Sequence, residues 1–315
     1  MAPIVLKTVT GTQGSTRALK DGSIAPDGFS LDFEEVQSLP GAFRRMVRGL
    51  EFDVCEMAIT TYLAARAHGK PFTALPLPLV RAFHHGAITT SAAAPTAKPK
   101  DLEGKRAGVN RGYTVTSGVW ARGILADEYG VDLGCVTWVL SGDEHVAEFV
   151  PPSNVTPVEA GKDVPAMVAS GELAGAVGVP PTAPGVTQLI PDAREAGFAA
   201  LRDRGLYPIN HLLVVRNEAL RAHPGLAESL FAAYAESKKR YVTALTSGRI
   251  TDPTPVDQVY QRVAEITGAD PLPYGIEPNR AMIDQVITYA VSQKILDRPV
   301  SAEDLFAPAT RGLTA

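Results

Sequence analysis

The sequence predicts an α/β protein of two lobes, and three observations carry that prediction. Strand and helix signals alternate from Ile4 to Leu77 in a βαβα order. The pattern then breaks into the Pro- and Ala-rich stretch SAAAPTAKPK. Alternation resumes from Arg106 and ends in an apolar strand, LLVV, before a mainly helical C-terminal stretch. The expectation is a mostly parallel sheet with helices on both sides, built twice.

Each element has a local reason. Ile4 to Val9 is a short apolar strand entering the polar turn GTQGS, and Ser30 to Phe33 is a second strand. GAFRRMVRGL, residues 41–50, places apolar residues at helical spacing with arginines opposite. Phe52 to Met57 is a strand. Thr61 to His68 is a helix closed by Gly69 and then Pro71, and Phe72 to Leu77 is again a strand. Beyond the break, Arg106 to Val109 is a strand. Thr116 to Tyr129 is a long helix with Gly130 as its stop, and Val136 to Leu140 is the next strand. PPSNVTPVEAGKDVP is a loop, VPAMVASGEL a helix ending at Gly171, and AGAVGV a strand. Further strands follow at Thr187 to Ile190 and Leu212 to Val215. The long C-terminal helices span Pro224 to Ser247 and Pro278 to Leu296.

Composition narrows the function class. The chain has 315 residues, 45% hydrophobic and 20% charged, with a formal net charge of -4, so nothing electrostatic argues for a nucleic-acid partner. No apolar run is long enough to span a membrane. The start, MAPIVLKTVTGTQGS, does not read as a secretory signal, because its apolar run is short and broken by Lys7. Cys55 and Cys135 are too few for a disulfide framework and lack metal-ligand spacing. The expectation is a cytoplasmic protein with free thiols and no metal.

Longer stretches are more specific. DLEGKRAGV and DVPAMVASGELAGAVG occur in the order characteristic of the type 2 periplasmic-binding-protein fold, which the middle of the chain resembles. FDVCEMAITTYLAARAHGKPF, SGVWARGILADEYGVD, YPINHLLVVRNEAL and DPLPYGIEPNRAMID together resemble the 4,5-dihydroxyphthalate decarboxylase family, over most of the chain from Arg17 to SAEDLFAP. The resemblance implies a two-lobed fold with a cleft between the lobes, with residues 1–88 and 212–315 in one discontinuous lobe and 89–211 in the other. It also implies a cofactor-independent carboxy-lyase acting on a hydroxylated aromatic carboxylate, such as 4,5-dihydroxyphthalate going to protocatechuate. A homo-oligomer is compatible with the sequence. The chain departs from the family at GTQGS before TRAL, at Phe83–His84–His85 where Phe-Arg-His is expected, and at LSGDEHVAEF after Trp138. These loops face the expected cleft, so the ring substituents stay open.

Such a reaction needs proton-transfer groups, cations or backbone N–H groups for the carboxylate that stays, and exclusion of water, which lobe closure would supply. Glu56 lies near the carboxyl end of an inner strand, where ligands of open α/β sheets bind, and a partly desolvated carboxyl there suits a proton donor. The structural alternative pairs it with an arginine. His211 precedes the LLVV strand at the second lobe crossover and titrates near neutral pH. His211 and Glu56 are the expected catalytic pair, with His85 assisting. Arg17, Thr60, Arg81, His84, Asn110, Tyr113 and Thr114 are expected to position the substrate, the last three through a turn that aims N–H groups from a helix start. Cys55 reads as a packed residue, His145 as solvent-exposed, Arg122 as structural, and Lys238–Lys239–Arg240 as a solvated helix face. The rival function is a non-catalytic binding protein for a small aromatic acid. A third is a different enzyme on the same scaffold.

Overall fold

A computed structural model describes residues 2–315. The chain begins with β1 (Ile4–Val9), α1 (Arg17–Lys20), β2 (Phe29–Phe33), α2 (Leu39–Gly49), β3 (Val54–Ala58), α3 (Ile59–Ala67) and β4 (Phe72–Arg81). It continues through β5 (Ile88–Ser91), β6 (Arg106–Val109), α4 (Thr116–Tyr129), β7 (Thr137–Leu140), β8 (Val155–Pro157), α5 (Val164–Ala169), β9 (Gly175–Val177), β10 (Val186–Gln188) and α6 (Ala193–Arg204). Strand β11 (Ile209–Arg216) leads into α7 (Asn217–Ala222), α8 (Leu226–Thr246), α9 (Pro255–Thr267) and α10 (Arg280–Ser292).

Two sheets result, a five-stranded one ordered β2-β1-β3-β11-β4 and a six-stranded one ordered β10-β5-β9-β6-β7-β8. In the first, β2 and β3 run parallel to β1, whereas β11 runs antiparallel to both β3 and β4. Four of the five strands thus run the same way, as expected of a mostly parallel sheet, and β11 alone opposes them. β11 returns from the second layer, so it enters the first sheet from the opposite end. Ile209 already pairs with Arg81, and β5 opens the second sheet at Ile88.

Local chemistry explains the elements. In α2, Pro40 stands in the first turn and Ala42, Phe43, Met46 and Val47 bury one face. All five residues of β3 are buried because both faces of the sheet are covered: Cys55 and Met57 pack into the cluster that holds Phe43, and Val54 into a second one with Leu230 and Tyr234. α4 stops at Gly130, whose φ of 64° is the left-handed C-cap conformation. α9 starts on a capping box in which Asp257 N–H donates to the Thr254 hydroxyl and Thr254 N–H donates to the Asp257 carboxylate. One apolar cluster runs through both layers, joining Phe43, Ile59 and Tyr62 to Trp120, Trp138, Ile283 and Tyr289. Trp120 is its centre: it is fully buried, its indole N–H donates to the Ile209 carbonyl at 2.9 Å, and its ring meets Tyr289 edge-on at 5.4 Å. Among the described residues no helix is long and apolar enough to cross a membrane.

Candidate active site

The site starts from strand register. β3 and β11 are adjacent and antiparallel, with Leu213 opposite Glu56 and His211 two residues further along. Side chains two apart share a face, so Glu56 and His211 are diagonal neighbours. His211 Nδ1 lies 2.6 Å from Glu56 Oε1. The second Glu56 oxygen accepts from Gly11 N at 2.7 Å and from Gln13 Nε2 at 3.4 Å. The Glu56 side chain is fully buried, while that of His211 is 23% exposed.

This arrangement explains a carboxylate inside an apolar strand. Its burial is offset by donors on both oxygens. None of these neighbours is an arginine, so the structural alternative does not describe it. Glu56 acts as an acceptor that orients the imidazole, and with Nδ1–H donated to Glu56 the Nε2 atom is left for chemistry. Phe43 stands edge-on to His211 at 5.1 Å and fixes the ring from its side.

His211 and Glu56 line a cavity of about 810 Å³. Gly11, Gln13 and Arg17 come to it from the turn after β1. α8 and α9 form its helical wall, with Tyr241, Asp257 and Tyr260. Arg17 is exposed there, a guanidinium free to clamp a carboxylate. Among the expected residues, Glu56, His211 and Arg17 therefore meet in one place.

The other seven lie elsewhere. His85 is buried and its Nε2 sits 3.0 Å from both oxygens of Glu128, which also pairs with Arg204, so it ties α4 to α6. His84 bonds Asn210 at 2.9 Å through Nε2. Arg81 points inward, donating to the Tyr207 carbonyl and to Asn279 at 3.0 Å, with its guanidinium 4.1 Å from the Tyr207 ring centre. Burial lowers it to about 10. Thr60 donates to the Thr114 carbonyl at 2.6 Å, and Asn110 donates to the Gly178 carbonyl at 2.9 Å. Tyr113 N–H and Thr114 N–H donate to the Glu144 carboxylate, and the Thr114 hydroxyl donates to it at 2.6 Å. The turn does hold a carboxylate, as its N–H groups dictate, but that carboxylate belongs to the chain itself. A Cβ at Gly112 would stand 2.7 Å from Glu144, so the side chain fills the space.

Further expectations are corrected. His145, expected at the surface, is 5% exposed beside Phe43, because Arg48 draws the Asp143–His145 loop onto α2 through the carbonyls of Glu144 and His145. Lys238 is 3% exposed and paired with Asp270, so the basic run is not wholly solvated. Sequence reading also missed Gln13, Tyr241, Asp257 and Tyr260. The one available signal was the TPVD capping box that seats Asp257. Among the described residues no group of three His, Cys, Asp or Glu side chains could hold a metal ion.

Burial also makes the fold acid-sensitive. Desolvation, the largest effect on each, lowers His84 and His145 from the usual 6.5 to about 4. Between those values the unfolded chain binds protons that the folded chain does not. Their contribution is complete above pH 6.5 and is lost as pH falls toward 4. The expected outcome is an unfolding free energy from urea titration lower at pH 5 than at pH 7, by on the order of 2 kcal/mol per histidine, with a shallower dependence in a His84→Gln variant.

No protein-family model matches the chain. It is 30% identical to a protein of Comamonas testosteroni named 4,5-dihydroxyphthalate decarboxylase, over 98% of both chains. The chain belongs to the 4,5-dihydroxyphthalate decarboxylase family. A Pseudomonas putida protein of the same name is 32% identical over 58% of this chain and 73% of its own length. Solved structures establish the scaffold on which this family member is built. The periplasmic aliphatic sulphonate binding protein SsuA of Escherichia coli superposes with a TM-score of 0.54 at 12% identity, covering 97% of this chain and 98% of its own. The desulfurization enzyme DSZB superposes with a TM-score of 0.57 at 16% identity, covering 98% and 97%. The chain thus has the two-lobed periplasmic-binding-protein fold, which a sulphonate binding protein and a desulfurization enzyme also have.

Proposed function

We propose that this chain removes CO2 from a hydroxylated aromatic carboxylate without a cofactor, with 4,5-dihydroxyphthalate as the first substrate to try. The observation that carries the reading is the Glu56–His211 pair at 2.6 Å, opening on a cavity that Arg17 also lines. Full-length likeness to a protein named for that decarboxylation supports it.

The geometry suggests the following chemistry. Protonated His211, held by the Glu56 carboxylate, delivers the Nε2 proton to the ring carbon bearing the departing carboxylate. A hydroxyl para to that carbon supplies electron density. The C–C bonding electrons then return to the ring and CO2 leaves. His211 is left neutral and regains a proton from water, so one proton is consumed per turnover. Arg17 holds the carboxylate that stays. Glu56 and His211 deploy one charge pair where positive charge sits in the reacting state.

The exposed, unpaired Cys135 thiol supports a reducing compartment, the cytoplasm, as the location. The lobe division proposed is residues 1–88 with 212–315 against 89–211. Incubation with 4,5-dihydroxyphthalate is expected to yield protocatechuate and CO2 in equal amounts, followed by chromatography and CO2 capture. Tight binding without turnover would point instead to a binding protein for aromatic acids.

A further inference from the structure

Tyr241 lies on the helical wall of the same cavity as His211, and its surroundings are built to hold it still. Its ring rests directly on Gly14, where a Cβ would stand 2.0 Å from Cε2 and 2.2 Å from Cδ2. Any side chain at position 14 would displace the ring. Tyr260 meets Tyr241 at 6.5 Å with the planes 74° apart. One turn earlier on α8, Ser237 donates to the Ser15 carbonyl at 2.6 Å. α8 therefore grips, at Gly14 and Ser15, the same turn whose Gly11 and Gln13 bond Glu56.

The hydroxyl is committed as well. It donates to Asp257, whose other oxygen accepts from Thr254 N at 2.8 Å and from the Thr254 hydroxyl at 2.7 Å. A phenol has one hydrogen and two acceptor lone pairs. With its hydrogen given to Asp257, Tyr241 meets anything in the cavity as an acceptor. Burial and the Asp257 carboxylate both raise its own titration, so it stays a neutral phenol near pH 7.

We propose that Tyr241 is the hydroxyl-recognition residue of this site: its phenol oxygen accepts a hydrogen bond from the ring hydroxyl para to the departing carboxylate. The proposal rests on the decarboxylase reading for which hydroxyl is read, and on geometry for the acceptor itself. The hydrogen bond leaves the proton on the substrate and pushes electron density toward the carbon that His211 protonates. The wall thereby selects aromatic acids that carry a hydrogen-bond donor at that position.

The test uses the full chain and two small acids. Protocatechuate keeps the hydroxyl in question, and 4-hydroxybenzoate is the same molecule without it. Dissociation constants of both are measured by calorimetry for the wild type and for Tyr241→Phe, which keeps the ring on Gly14. The expected result is a wild-type preference for protocatechuate of about 3–10-fold, the worth of one hydrogen bond, that disappears in the variant. An unchanged preference would overturn the proposal, and so would equal weakening of both acids, which marks a merely structural role. Absence of binding by the wild type would overturn it too. CO2 release by the wild type is scored separately. If the preference follows Tyr241 but no CO2 appears, the recognition role stands and the decarboxylase reading falls.

Discussion

Replacing His211 by Ala is expected to lower kcat by about 10²- to 10⁴-fold, the usual worth of a positioned acid or base, while the fold survives. Three features of that side chain set the size of the effect. It is the one histidine among the cavity-lining residues, it stands 2.6 Å from a fully buried carboxylate, and it is itself partly exposed. The alanine variant leaves Glu56 with Gly11 and Gln13 as donors, so a reduced-stability artefact is separable by its melting temperature. Glu56→Gln is the companion variant. It keeps the shape but replaces the carboxylate that holds the imidazole in place, so its kcat should fall less than that of His211→Ala. Turnover by His211→Ala within threefold of wild type would remove the histidine from the mechanism.

Trp120→Ala should cost about 3–5 kcal/mol of folding free energy, the range for deleting a large buried aromatic. Trp120 is fully buried, and nothing nearby can collapse easily into its space: Gly123 on the same helix already lies under the Tyr289 ring, and the Tyr289 hydroxyl is held by Asp127 at 2.6 Å. The variant also orphans the Ile209 carbonyl. Urea unfolding followed by far-ultraviolet circular dichroism measures this. A cost below about 1 kcal/mol would contradict the packing described. Because Ile209 begins the strand that carries His211, kcat should fall alongside stability.

Much of the scaffold was legible in the sequence, because its signals are local. β1 and α4 run over the predicted residues, the latter because Gly130 terminates it. Strand β8 was not legible: it has three residues, ends in Pro157 and sits at a sheet edge, where pairing rather than propensity makes it a strand. The direction of β11 was hidden for a similar reason, since apolar residues mark a strand without saying which way it runs. At the site, Glu56 and His211 could be named from burial cost and titration chemistry. The turn at Tyr113–Thr114 was read as a site for the substrate's carboxylate, and its amides are instead taken by a carboxylate of the chain itself. Its occupant, Glu144, lies thirty residues away and came together with it only through folding. Arg81 failed as a clamp because a sequence shows that a guanidinium exists and not that its two terminal nitrogens are bonded inside the fold. Tyr241 was unreadable because a helix of ordinary composition conceals which of its faces overlies a glycine.

The bond between Glu144 and the start of α4 has an evolutionary corollary. With those amides satisfied internally, the six-stranded half of the molecule serves as a brace, and the proposed chemistry falls to the cavity that the turn after β1 shares with α8 and α9. Substrate range in this lineage can then drift by exchanging residues along α8 and α9, without disturbing either sheet.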